Sequence, residues 1–275
     1  MRVETNVRLV RRNRRLANYL FFFSMAVLIG GFVIANTQLV NPNAAQDDTS
    51  LALALLLPWV VLPVGLISTL VSVRMTNLWV RRPRPEQVIQ EALKGVNKRS
   101  ILYNYFHFPA RHVLVTPHGV YAMVTRYQEG RFVVEGNRWR APGGAFRAIA
   151  RLFRRDDIGN PTEEAQRAAA HVKQMIGATA SDITVQPLII FVDPRAQVEV
   201  VNPTVPVLYA DSQREPNLRD YLRDQARQQS PQEVEPVMKK KGSKAAKAVT
   251  AAPESAGRIA PEEIAVALEA PFVGR

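Results

Sequence analysis

The 275 residues contain no cysteine and carry 36 Lys and Arg against 24 Asp and Glu, a formal net charge of +12. Without a thiol there is no disulfide framework, no thiolate metal centre and no cysteine nucleophile. The positive excess points to anionic partners, nucleic acid phosphates or anionic lipid headgroups, and charge alone does not choose between them. The length suits one mid-sized domain with appendages or two small domains.

In chain order, residues 1–16 carry Arg2, Arg8, Arg11, Arg12, Arg14 and Arg15 against a single acid, Glu4. Residues 19–35 are then free of charge, and ~17–25 such residues suffice to cross a bilayer core as a helix. A basic start followed by an apolar run would also serve a cleaved signal peptide. A second uncharged span, residues 51–73, follows almost at once and favours a membrane hairpin instead. Its Pro58 and Pro63 are tolerated in membrane helices. A buried hairpin of a soluble core is the other alternative, disfavoured by two charge-free spans of this length.

The linking residues 36–50 hold Asp47 and Asp48 and no Lys or Arg, whereas Arg74, Arg81, Arg82 and Arg84 follow the second span. The positive-inside rule then places both termini in the cytoplasm, making a multi-pass protein of the cell membrane. Neither span has an ionisable residue in its interior, so the hairpin reads as an anchor rather than an ion path. Gly30 and Gly31 offer positions where the helices can approach closely.

After a Pro83 and Pro85 linker, Val88, Ile89, Ala92, Leu93 and Val96 recur at helical spacing, with an end near Gly95. Residues 101–108, rich in aromatic and β-branched side chains, are expected as the first strand. Residues 112–115 and 120–125 follow as strands around the turn Thr116-Pro117-His118-Gly119, and residues 131–135 are expected to continue the meander. Residues 137–157 shift to Arg, Gly and Pro. They are expected to form an exposed basic loop around Pro142-Gly143-Gly144, with a short helix at 145–153. That loop is either a phosphate-contacting patch or a solvated segment.

Asn160-Pro161-Thr162-Glu163 offers an N-cap, a proline at the first helical position and a carboxylate able to reach back to the cap. The helix runs to about Ile176, with Ala165, Ala168, Ala169, Val172, Met175 and Ile176 on one face. Residues 183–192 contain the run LIIFV, expected in a strand buried on both faces. Short strands at 198–201 and 207–209 and a closing amphipathic helix at 218–225 complete the fold. From about residue 228 the composition is that of a disordered tail, with a basic run at Lys239, Lys240, Lys241, Lys244 and Lys247. Residues 261–270 are expected as a brief helix or docking segment. The divisions are therefore 1–79 for the basic N-terminus and hairpin, 80–229 for a cytoplasmic α/β domain, and 230–275 for the tail.

The order of these elements, with Gly119 and Gly130 in successive turns, Asn160-Pro161, and Gln166 on the helix, resembles the nuclease-related domain, NERD. This is a relative of the restriction-endonuclease-like PD-(D/E)xK nucleases. The resemblance covers about residues 86–222 and implies a mixed α/β sheet flanked by helices. It also implies a glutamate on the early helix, an aspartate opening the strand before the turn, and Glu-x-Lys ending the next strand. Those carboxylates would hold Mg²⁺, and the lysine would assist the attacking water. Here the early glutamate falls on Glu86 and the helix glutamine on Gln166, both compatible. The aspartate position is Arg111, the glutamate Val124 and the lysine Arg126.

Two central ligands have thus become a cation and an aliphatic group, and Arg126 keeps its positive charge but cannot serve as a base. No catalytic or metal site is expected, and Mg²⁺ enters only if activity survives at a rearranged site. Arg111, Arg126, Arg131, Arg138 and Arg140 are the candidate anion-binding residues. The partners implied are the lipid bilayer together with nucleic acid, anionic headgroups or an acidic protein. An active Mg²⁺-dependent nuclease using migrated acids such as Glu129, Glu135, Asp156, Asp157, Glu163 or Glu164, and a protein-docking factor, are the rival readings. His107, His112, His118 and His171 lack the spacing of a metal site, and no Gly-rich phosphate loop, helix-turn-helix or zinc finger is present.

Overall fold

The computed structural model describes residues 1–40, 48–142, 158–177, 183–229 and 260–270. The expected helix at 145–153, the arginines Arg147, Arg151, Arg154 and Arg155, the acids Asp156 and Asp157, and the lysine run at 239–247 lie outside these residues.

The first element is a strand that the charged sequence RVET does not announce: β1, Arg2–Thr5. Asn6 then caps a long helix, α1 (Val7–Val40), accepting from the Leu9 backbone N–H at 3.1 Å. A second long helix, α2, spans Asp48–Trp79. Both are long and apolar enough to cross a membrane, over Val7–Val33 and Trp59–Trp79, and only 11 % of each apolar window is buried within the protein. The two pack on each other through glycines. A Cβ on Gly31 would meet Val61 Cγ1 at 2.5 Å, and one on Gly65 would meet Leu28 Cδ2 at 3.0 Å, whereas Gly30 faces open space. Only glycine permits this approach of the two backbones at Gly31.

The α/β part continues with α3 (Pro85–Ala92), β2 (Ile101–His107), β3 (Ala110–Thr116), β4 (Gly119–Arg126), β5 (Gly130–Glu135) and β6 (Arg138–Arg140). It ends with α4 (Pro161–Ile176), β7 (Val185–Phe191), β8 (Ala196–Val201), β9 (Val207–Tyr209), α5 (Leu218–Gln229) and α6 (Pro261–Glu269). A six-stranded mixed sheet runs in the order β1-β2-β3-β4-β7-β9, matching the expected restriction-endonuclease-like class. Only β3 opposes the others, and it pairs antiparallel with β2 and β4. Thr116 closes the β3–β4 turn as its hydroxyl donates to the Gly119 carbonyl at 3.0 Å.

The meander stops there. The far neighbour of β4 is β7, in parallel, and β5 leaves to build a three-stranded sheet, β6-β5-β8. Pairing β4 with the apolar β7 buries both faces of each, which the polar β5 could not do.

One face of the large sheet packs Leu102, Leu114, Tyr121, Met123, Leu188 and Ile190 against α3 and α5. The other packs Val113, Val115, Ala122, Val124 and Ile189 against the small-residue face of α4, together with α6 and the second sheet. The α4 cap forms as expected, with the Glu163 N–H donating to Asn160 Oδ1 at 3.3 Å, but the Glu163 side chain turns to Arg167, at 3.7 Å. Helix α6 docks through Ile264 and Leu268, and its Glu269 accepts from Arg2 at 3.0 Å and from the Tyr103 hydroxyl at 2.8 Å.

Candidate functional site

Strands β1, β2, β4, β7 and β9 all run the same way, so their carboxyl ends share one edge of the sheet. In open α/β sheets that edge is where ligands are bound. Here β1 hands over to α1, α3 begins and β4 ends in Arg126. The start of β3 stands beside it: His112 faces Met123, so the next step of the ladder brings Arg111 opposite Val124.

Val124 points into the α4 face of the core and is buried among apolar side chains. Arg126 lies one strand period further along, on the same face. Its side chain is 9 % exposed and donates to Glu164 of α4 at 2.6 Å and to the Thr125 carbonyl at 3.2 Å, while its Nε is buried without a partner. Burial alone would raise the Glu164 carboxyl, but the Arg126, Arg111 and Arg167 charges outweigh it and hold the group below its ordinary range. Arg111 is half-buried, acts electrostatically on Glu164 as well as on Tyr105 and His112, and forms no hydrogen bond or ion pair among the described residues.

Glu86, at the start of α3, is also at this edge. Its carboxylate accepts from the Tyr105 hydroxyl at 2.8 Å and stands 4.0 Å from Arg84, with 12 % of the side chain exposed. Tyr105 reaches it because β2 bulges between Asn104 and His107, where Tyr105 takes φ 65°. Burial and then the Glu86 charge push its phenol far above the ordinary value, so it remains a donor. Its ring lies 5.1 Å from that of His112, whose Nδ1 is 2.8 Å from Asn104 Oδ1. Since the Asn104 amide nitrogen donates to Thr5 Oγ1, its oxygen faces the histidine and His112 Nδ1 carries the proton. Burial lowers the His112 pKa to about 3.

The two guanidinium groups Arg84 and Arg126 are thus matched by Glu86 and Glu164, and Arg111 is the charge left over. Gln166 lies on the exposed side of α4, with no hydrogen bond among the described residues to Glu86, Arg111 or Arg126. Arg131, Arg138 and Arg140 belong to the second sheet, where Arg131 pairs with Glu199 at 3.0 Å and Arg140 with Glu135 at 3.7 Å. Among the described residues no ion pair joins them to the edge just described.

Of the acids considered for a rearranged centre, Glu129 pairs with Arg195 at 2.6 Å, Glu135 with Arg140 and Glu163 with Arg167. Among the described residues no three His, Asp or Glu side chains are grouped as metal ligands. The residues present therefore do not fit the Mg²⁺ of the nuclease pattern: one ligand position is an alkyl group in the core, another is a cation, and Glu164 is already paired with Arg126. Sequence spacing alone did not single out Tyr105, and it offered Glu164 only as one of six acids for a rearranged metal centre, not as the partner of Arg126. The one available signal was a glutamate in the first turn of a well-capped helix, which reads equally as a complement to the helix dipole.

Residues 84–192 match the family model described as the nuclease-related domain, NERD. No curated protein and no solved structure matches the chain.

Proposed function

We propose, from the match of residues 84–192 to the nuclease-related domain, that the chain is a membrane-anchored member of that family that binds a phosphate-bearing polyanion at its sheet edge and does not hydrolyse it. The observation that carries this reading is the charge arrangement at that edge. Arg126 is neutralised by Glu164 and Arg84 by Glu86, leaving Arg111 half-exposed with no carboxylate of its own. A guanidinium is suited to gripping phosphate oxygens and unsuited to proton abstraction. The helices α1 and α2 supply the anchor, since their exposed apolar side chains, among them Phe22, Leu62 and Ile67, have no counterpart surface among the described residues. The Arg-rich outer flanks support a cytoplasmic side for the domain by the positive-inside rule.

The test uses the full chain in zwitterionic detergent micelles, with a fluorescent single-stranded oligonucleotide titrated across a salt series. Affinity is expected to fall with salt, since phosphate contacts release counterions. Arg111→Gln should weaken binding ~10- to 100-fold, the worth of one charge-assisted contact. Binding without a salt slope, or unchanged in Arg111→Gln, overturns the reading. Cleavage with Mg²⁺ that is lost in Glu86→Ala would establish the rival nuclease.

A further inference from the structure

The arginines of this protein fall into two populations. On the α/β domain most are matched: Arg2, Arg81, Arg84, Arg126, Arg131, Arg140 and Arg195 each have a carboxylate within 4.0 Å. On the first turns of α1, by contrast, Arg8, Arg11, Arg12, Arg14 and Arg15 are all exposed, and none forms an ion pair among the described residues. Leaving five exposed cations unmatched on one helical segment keeps like charges close together, a repulsion that a bound anionic surface removes.

The height of these residues decides which anion they meet. The Gly31–Val61 and Gly65–Leu28 approaches set α1 and α2 antiparallel, and counting along from them puts Arg74 level with residues 18–19. Tyr19, 70 % exposed, marks the same level on α1. Tyrosine is favoured where hydrocarbon meets headgroups, and arginine just beyond it. At 1.5 Å per residue Arg12, Arg14 and Arg15 stand ~6–11 Å below Tyr19. The headgroup layer is ~5–8 Å deep on each side of the core, and an arginine side chain bridges the remainder.

We propose that Arg12, Arg14 and Arg15 of α1, with Arg74 of α2, form a collar that binds the phosphate headgroups of anionic phospholipids. The inference rests on the membrane-spanning reading of α1 and α2 but not on the role given to Arg111. A polynucleotide would have to reach the collar between the domain and the bilayer, whereas lipid phosphates already lie at its height.

The full chain, reconstituted into phosphatidylcholine vesicles containing phosphatidylglycerol, is examined by electron spin resonance with spin-labelled phosphatidylglycerol or phosphatidylcholine. The motionally restricted fraction should favour phosphatidylglycerol by up to about fivefold, the factor for one arginine at an anionic surface. The preference should shrink with added salt. The triple replacement Arg12→Gln, Arg14→Gln, Arg15→Gln should abolish most of it, the corresponding lysine triple should retain it, and Arg111→Gln should leave it unchanged. Equal association of the two lipids in a chain that resists alkaline carbonate extraction overturns the collar. Loss of the chain to the carbonate supernatant overturns the membrane-spanning reading itself. If an oligonucleotide displaces the restricted phosphatidylglycerol, the collar is a nucleic acid site and the lipid assignment fails.

Discussion

Tyr105 donates its hydroxyl to Glu86 at 2.8 Å while its ring lies 5.2 Å from that of Trp79, the last residue of α2. Its carbonyl accepts from Asn6, the cap of α1, at 3.4 Å. One residue in a left-handed conformation therefore touches both long helices and a carboxylate at the candidate site.

Replacing it separates these contributions. Tyr105→Phe keeps the ring contacts and removes a hydrogen bond to a carboxylate, an expected loss of ~2 kcal/mol. Tyr105→Gly should be less destabilising than Tyr105→Ala by ~1 kcal/mol, because glycine tolerates φ 65° without cost. Thermal unfolding of the three variants in detergent checks the order. Alanine equal to or better than glycine would show that the bulge relaxes.

The Arg126–Glu164 pair predicts an acid-sensitive fold. The Glu164 pKa is lowered on folding, so its contribution is fully present above the ordinary value of 4.5 and is lost as pH falls through the lower folded value. Glu164→Gln should destabilise the chain by ~2–3 kcal/mol at neutral pH, below the full cost of breaking a deeply buried pair because Glu164 is 34 % exposed. It should also flatten the stability profile below pH 4.5. Unfolding midpoints across pH 3–7 measure both, and a variant whose acid limb matches the parent would contradict the assignment.

His107 and His112 predict a second pH effect with the same sign by another route. Burial lowers them to about 4 and about 3, so the unfolded chain takes up protons that the folded chain refuses. Stability should decline from pH 6.5 downward by ~1.4 kcal/mol per pH unit for each, the decline ending near the folded values. Proton NMR of the imidazoles gives a direct check, since neither ring should titrate between pH 5 and 8.

A chain cut to residues 80–275, which keeps α6, should fold poorly. It loses β1 and its parallel pairing with β2, exposes the β2 edge, and removes Thr5 from Asn104. Joining residues 1–6 to residue 80 through a short Gly-Ser linker should restore a soluble, monomeric domain, because Asn6 and Trp79 both contact Tyr105. Size-exclusion profiles of the two proteins distinguish the cases, and a monomeric, cooperatively folding 80–275 fragment would show β1 to be dispensable.

The parts of this structure that could be read from the sequence are those whose cause is local. The two charge-free spans, the capped α4 with its alanine face, and the apolar β7 follow from composition and spacing over a dozen residues. The juxtaposition of Arg111, Val124 and Arg126 is legible too, since a tight turn fixes the register of β3 and β4. What escaped depends on partners far along the chain. Arg2–Thr5 is too short and charged to announce a strand, and its partner lies beyond both long helices. The departure of β5 was decided by competition with β7, and the pairing of Arg126 with Glu164 by how α4 crosses the sheet.

Because β1 precedes the two long helices and α3 follows them, the α/β domain is joined to that helical pair at two points rather than one. A domain on a single flexible linker can swivel and offer any face to the cytoplasm. This one has lost that rotational freedom: the edge bearing Arg111 is held toward the hairpin at a fixed stand-off. On the proposed anchored, anion-binding reading, a ligand would have to come to that gap, and the effective concentration of anything tethered in the same membrane would be correspondingly high.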